Sequence, residues 1–157
     1  MDIYIAGPVV ATHDVKFYVD NVYKHTRTLG VGSGYSEVNI YMPCEHKVPN
    51  AWGIPEEMWG QCVFTMDVLA LDKCDQVVVC DFGKKSTALG TAWEAGYAFA
   101  KNKQILVVTM PKVKESSLMM HGCASNIIGY NDFIKETDFY KVFKCRGLDD
   151  YGKKKLT

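Results

Sequence analysis

The run Gln76-Val77-Val78-Val79-Cys80-Asp81-Phe82 is almost wholly apolar, and Gln104-Ile105-Leu106-Val107-Val108-Thr109-Met110 is a second run of the same kind. Short runs like these read as strands buried on both faces, and such strands belong to parallel sheets covered by helices. Between them, Leu89-Gly90-Thr91-Ala92-Trp93-Glu94-Ala95-Gly96-Tyr97-Ala98 leads into a helix predicted over 91–101. A buried strand, a loop and a helix opening on a lone carboxylate is where open α/β sheets place ligand chemistry. On this reading Glu94 lies in the first helical turn, where the positive helix end favours an ionised carboxylate. An ionised, partly enclosed glutamate can act as a nucleophile. Thr91-x-x-Glu94 is also a capping box, in which Glu94 would only satisfy backbone donors. The spacing alone allows either.

The same alternation runs along the chain. Ile3-Tyr4-Ile5-Ala6 is a short strand ending at Gly7-Pro8. Val15, Tyr18, Val19, Val22 and Leu29 recur at helical spacing, which predicts a helix over 14–28 that Gly30-Val31-Gly32-Ser33-Gly34 then breaks. A strand over 38–42, a loop over 43–55 containing Trp52, and a helix over 56–71 come next. After the run at 104–110 follow a short helix over 118–123, a fifth strand at 126–128 and a terminal helix over 138–143. The expected fold is one domain over 1–157, a doubly wound, mostly parallel five-stranded sheet of flavodoxin or Rossmann type, flanked by helices. Right-handed crossovers put the strand C-termini on one edge. That edge collects Gly7-Pro8 and the loops at 43–55, 81–89 and 111–117, so the site is expected there.

Composition narrows the partner. A chain of 157 residues with 48% apolar content can bury a real core and is not disordered. Lys plus Arg and Asp plus Glu number 18 each, so there is no basic excess for nucleic acid or an anionic membrane. No apolar run approaches the roughly 20 residues of a membrane span. A small molecule is the expected partner. The six cysteines include no C-x-x-C pair, and several lie inside apolar runs as buried thiols do. With no secretory signal at Met1-Asp2-Ile3-Tyr4, a reducing cytoplasm is expected.

His13, His25, His46 and His121 have no metal-ligand spacing, so neither metal nor cofactor is expected. Two glycine motifs are decoys. Gly30-x-Gly32-x-Gly34 follows a helix where a dinucleotide fingerprint would open one. Gly83-Lys84-Lys85-Ser86 lacks the phosphate-loop glycine five residues earlier, where Val78 stands.

Five separated pieces resemble the nucleoside 2-deoxyribosyltransferase family. They are Ile3-Tyr4-Ile5-Ala6-Gly7-Pro8, similar to the opening strand and turn; Trp59 with Asp67 eight residues later; the strand from Asp75 to Asp81; Gly90-Thr91-Ala92-Trp93-Glu94-x-Gly96; and Ser117-Leu118-Met119, where transferases often carry N-L-M. Their order and spacing carry the resemblance from about Ile3 to Ile128. It implies a double displacement in which Glu94 attacks C1′ of the sugar and expels the base. The glycosyl-enzyme then passes the sugar to another base or to water with retained configuration, the chemistry of a retaining glycosidase. Tyr4 would hold the Glu94 carboxylate. Asp67 would give or take the ring proton of the base. Trp59, and Trp52 with it, would wall the base. Read without the resemblance, Tyr4 and Trp59 are core aromatics and Asp67 is a helix aspartate. Trp59, Val63 and Asp67 nevertheless share one apolar face at i, i+4 and i+8.

The chain departs from the family pattern at the sugar end. Ala88 stands where transferases carry an aspartate that contacts the sugar hydroxyls, and Ser117 replaces the asparagine of N-L-M. Related 2′-deoxynucleoside 5′-monophosphate N-hydrolases carry similar changes, and losing a carboxylate relieves repulsion against a 5′-phosphate. Lys84, Lys85, Ser86 and Thr87 lie in the same loop. Against this, Gly7-Pro8-Val9-Val10 lacks the serine and arginine those hydrolases use, and the segment from Gly90 to Glu94 looks more like a transferase. The reading is thus a transferase, with Gly7, Pro8, Ala88, Gly90, Ser117 and Met119 as further substrate contacts. The alternatives are a monophosphate N-hydrolase and a non-catalytic nucleotide-binding module. The resemblance also implies a homodimer or larger homo-oligomer, with a neighbour's Met119 region closing the site.

Overall fold

The β-branched runs pair with one another in parallel. In the computed structural model, which describes residues 1–9, 12–84 and 89–143, the strands are β1 (Asp2–Ala6), β2 (Asn39–Tyr41), β3 (Gln76–Asp81), β4 (Gln104–Thr109) and β5 (Asn126–Gly129). They form a five-stranded sheet of order β2-β1-β3-β4-β5. Each of the four pairings is parallel, so the expected mostly parallel sheet is wholly parallel among the described residues. The helices are α1 (His13–Gly32), α2 (Glu56–Lys73), α3 (Leu89–Ala100), α4 (Leu118–Cys123), α5 (Tyr130–Phe133) and α6 (Phe139–Val142). Residues 43–55 hold two short 3-10 turns, Pro43–Glu45 and Ala51–Gly53. The terminal helix expected over 138–143 is α6, and α5 was not expected.

Alternation within the strands feeds two cores. Ile3, Ile5, Val78, Cys80, Leu106 and Val108 point to the face covered by α1, α5 and α6, where Val22, Phe133 and Phe139 meet them. Tyr4, Ala6, Val77, Val79, Ile105 and Val107 point to the opposite face, under Leu71 of α2, Ala95 and Ala98 of α3 and Met120 of α4. Each fully buried valine stabilises the fold by about 1.5–3 kcal/mol relative to an exposed one, so β3, apolar on both sides, is the keel of the sheet. The strand order reverses between β1 and β3. The crevice at such a switch point, on the carboxyl side of the strands, is where open sheets bind ligands.

One boundary differs from the expectation. The first helix does not stop at 28 but runs through Gly30-Val31-Gly32. A Cβ on Gly30 would lie 2.8 Å from a Val38 methyl, so this glycine lets the helix approach the chain ahead of β2 closely. Packing outweighs the roughly 1 kcal/mol that glycine costs inside a helix. The stop comes at Gly34, whose φ of +87° only glycine adopts readily.

Candidate active site

Two phenols organise the site. Tyr4 and Tyr41 are register partners on adjacent parallel strands, so their side chains emerge on the same face, the one beneath α2 and α3. Their rings stack at 5.3 Å and 23°. Each hydroxyl then reaches a different helix. Tyr4 Oη donates to Glu94 Oε1 on α3 at 2.7 Å, and Tyr41 Oη donates to Asp67 Oδ1 on α2 at 2.8 Å. On its far side Tyr41 carries the His46 ring, 4.1 Å away and nearly parallel at 7°.

Between the two helices opens a cleft of about 380 Å³. Trp59, Gly60, Val63, Phe64 and Asp67 of α2 form one wall, and Gly90, Trp93 and Glu94 of α3 form the other. The Trp59, Val63 and Asp67 positions expected to share a face do line this cleft together. The surroundings are apolar except for the two carboxylates, so water screens them poorly. Trp59 also borders a second cleft of about 450 Å³ with Ala51, Trp52, Ile54 and Glu56, which brings the fully exposed Trp52 to the rim of the same region.

Burial raises both acids above the ordinary carboxylate range. Glu94 is 8% exposed, and desolvation pushes its carboxyl up to about 7; the Tyr4 hydrogen bond opposes this and the nearby Asp67 charge adds to it. Asp67 is raised by burial too, against the Tyr41 hydrogen bond and His46. Both phenols are raised by burial and by these carboxylates, so they remain donors across the accessible pH range. Glu94 Oε2 is buried and has no hydrogen-bond partner among the described residues. One oxygen is therefore held and the other is enclosed without a donor.

Two expectations about Glu94 are corrected here. It lies in the second turn of α3, five residues beyond Leu89, so burial, and not the helix end, governs its charge. Thr91 sits within the helix with its Oγ1 buried and unpartnered among the described residues. The capping box is thus absent, because its hydroxyl must come from a residue outside the helix.

A family model for nucleoside 2-deoxyribosyltransferase matches residues 3–128. The chain belongs to the nucleoside 2-deoxyribosyltransferase family. No curated protein sequence matches it. Among solved structures, a 2-deoxyribosyltransferase from Bacillus psychrosaccharolyticus superposes with a TM-score of 0.70 at 22% identity, over 90% of this chain and 96% of its own. A conserved protein from Enterococcus faecalis V583 gives 0.67 at 15% identity, over 87% and 96%. A CMP N-glycosidase from Clostridium botulinum gives 0.55 at 15% identity, over 86% and 96%. These likenesses show a shared fold.

The other expected contacts of this family member are spread along the same sheet edge. Gly7 and Pro8 follow β1, and Pro8 lines a separate cleft with Lys16, Asp20, Cys44 and Glu45. Ser117 precedes α4. Met119 is largely exposed and borders a groove between α3 and α4, lined by Ala92, Ala95, Gly96 and Phe99 opposite it. Ala88 lies outside the described residues, as do Lys85, Ser86 and Thr87. Sequence reading missed Tyr41, His46, Phe64 and Trp93. Tyr41 sits in a strand too short to announce its pairing, and only the register with Tyr4 reveals its place. No helix among the described residues is long and apolar enough to cross a membrane.

Proposed function

We propose that the protein is a nucleoside 2-deoxyribosyltransferase that moves 2-deoxyribose between nucleobases through a covalent glycosyl-Glu94 intermediate. The observation that carries this is the half-satisfied Glu94 carboxylate, with Oε1 fixed by Tyr4 and Oε2 buried without a donor, in a residue that lines an apolar cleft. In the first step Oε2 attacks C1′ as the C1′–N bond breaks, and that electron pair leaves with the base. Asp67, whose carboxyl is raised above the ordinary range by burial, gives the base nitrogen its proton from the protonated form. In the second step a nitrogen of the incoming base attacks C1′, the Glu94 carboxylate departs, and Asp67 takes up the proton that base releases. Two inversions give net retention. Trp59, Phe64 and Trp93 offer flat apolar faces for the base. A carboxyl raised to about 7 is about half ionised at neutrality, so the nucleophilic form is available without a metal or cofactor.

A second reading, hydrolysis of 2′-deoxynucleoside 5′-monophosphates, is favoured by Ala88 and Ser117, and by a cleft of about 320 Å³ beyond β3 and β4, bordered by Lys84, Lys112 and Lys114, with Glu115 as the one carboxylate among its described lining residues. A bound phosphate would find cations at this edge and no aspartate at 88 to repel it.

One assay separates the readings. The protein is incubated with deoxynucleosides, deoxynucleoside 5′-monophosphates and free bases. Base exchange supports the transferase. Base release from monophosphates alone supports the hydrolase. Saturable binding without turnover would leave a nucleotide-binding module. Cys44, Cys62, Cys74 and Cys80 are free thiols, which fits a role in a reducing cytoplasm. The exposed Leu118, Met119 and Phe99 beside the α3–α4 groove fit assembly with a second copy.

A further inference from the structure

We infer that Tyr41 is a positioning residue for departure of the base, holding Asp67 through Oδ1 so that Oδ2 remains for the leaving group; this rests on the catalytic reading of the cleft. The argument is geometric. Asp67 is half-buried on α2, and the hydrogen bond to its carboxylate from Tyr41 Oη is 2.8 Å long. The Tyr41 ring has little freedom, because it is stacked on one side against Tyr4 at 5.3 Å and on the other against His46 at 4.1 Å. Tyr4, the next ring in the stack, holds Glu94 at 2.7 Å. The nucleophile and the acid thus stand on separate helices, yet one ring stack rooted in two adjacent strands sets where both carboxylates sit.

The groups facing Tyr41 are Tyr4 from β1, Asp67 from α2, Glu94 from α3 and His46 from the 43–55 loop. Two of them are carboxylates, and their charge keeps the phenol protonated and donating. A donor to a carboxylate oxygen favours the ionised form and fixes its orientation. Misplacing a proton-transfer group by about 1 Å can cost on the order of a hundredfold in rate. A ring that only filled space would be replaceable by phenylalanine without such a loss.

The test compares Tyr41→Phe with 3-fluorotyrosine incorporated at position 41, a stronger donor of nearly the same shape. Both variants keep the ring stack. Two quantities are read: steady-state rates with deoxynucleosides, and titration of the Asp67 carboxyl by carbon NMR. Tyr41→Phe should lower kcat by about 10–100-fold with little change in KM, with the largest loss for poor leaving bases. It should also move the Asp67 titration upward, and fluorotyrosine should move it downward. In an Asp67→Asn background, Tyr41→Phe should add almost nothing. Unchanged kcat and an unmoved Asp67 titration, in an enzyme that otherwise turns over, would overturn the role of Tyr41 alone. Absence of turnover in the unsubstituted protein would overturn the catalytic reading and this role together.

Discussion

Asp81 and Glu94 are the buried carboxylates of the described chain, and their surroundings differ in kind. Asp81, at the end of β3, is 1% exposed. Its Oδ1 accepts the Gly83 N–H at 2.8 Å, its Oδ2 accepts the Ser116 hydroxyl, and His121 Nε2 lies 3.9 Å from Oδ2. Both oxygens are engaged, and the carboxylate ties the loop after β3 to the loop after β4. Among the described residues Glu94 has a single donor, from Tyr4, and a buried second oxygen with none. A buried carboxylate supplied with donors on both oxygens is a structural clamp. One denied them is costly to ionise and therefore reactive. Burial by itself does not separate the two roles; the donor count does.

The largest expected effect tests Glu94, the proposed nucleophile. Glu94→Gln keeps the shape and removes the proposed nucleophile, so turnover should fall by at least about 10⁴-fold while circular dichroism shows an intact fold. Turnover close to that of the unsubstituted protein would leave Glu94 no more chemical than Asp81. Asp67→Asn should come next, with a loss of about 10²–10⁴-fold, steepest for bases that leave poorly. An equal loss for activated and unactivated bases would reduce Asp67 to a structural group.

The same contrast should appear in stability against pH. Glu94 is raised to about 7 in the folded chain from 4.5, so the folded state binds the extra proton between those values. Its favourable contribution is complete below about 4.5 and is lost as pH rises through about 7. The loss amounts to roughly 3 kcal/mol by linkage. Glu94→Gln should therefore be more heat-stable than the unsubstituted protein at pH 8, and the gap should close at pH 5. A melting temperature that falls at pH 8 would mean that the Glu94 charge is stabilised by something outside the present account. The acid limb of kcat/KM should lie near 7 for the same reason.

The smallest effect belongs to the clamp. Ser116→Ala takes one donor from Asp81 and should cost about 1–2 kcal/mol, a fall of several degrees in melting temperature for a chain of this length. The kcat should stay within about threefold of the unsubstituted value, as surface-loop changes outside a site usually allow. A large drop in kcat with unchanged melting temperature would erase the distinction between the two carboxylates.

Much of the architecture was legible beforehand, because it depends on local patterns. Apolar runs at 76–82 and 104–110 can be buried only between helical layers, and the helical periodicity from Val15 to Leu29 left little choice for the segment between the first two strands. Tyr4, Asp67 and Glu94 could be named because their spacing matches a family pattern. Other features were beyond any reading of the chain in order. Helix α1 runs past two glycines because Val38 packs against Gly30, a contact between residues that only the fold brings together. Glu94 entered the reading as an ionised first-turn residue, whereas its charge is governed by desolvation, which depends on what surrounds it in space. The partnership of Tyr41 with Asp67 spans 26 residues and follows from a strand register that no local pattern encodes. Sequence by itself determined which segments are buried and which residue types are available for chemistry, since hydrophobic period and motif spacing are properties of the chain. Tertiary structure alone decided which oxygens are satisfied and which are buried without a donor, because donor and acceptor meet only when strands and helices have packed.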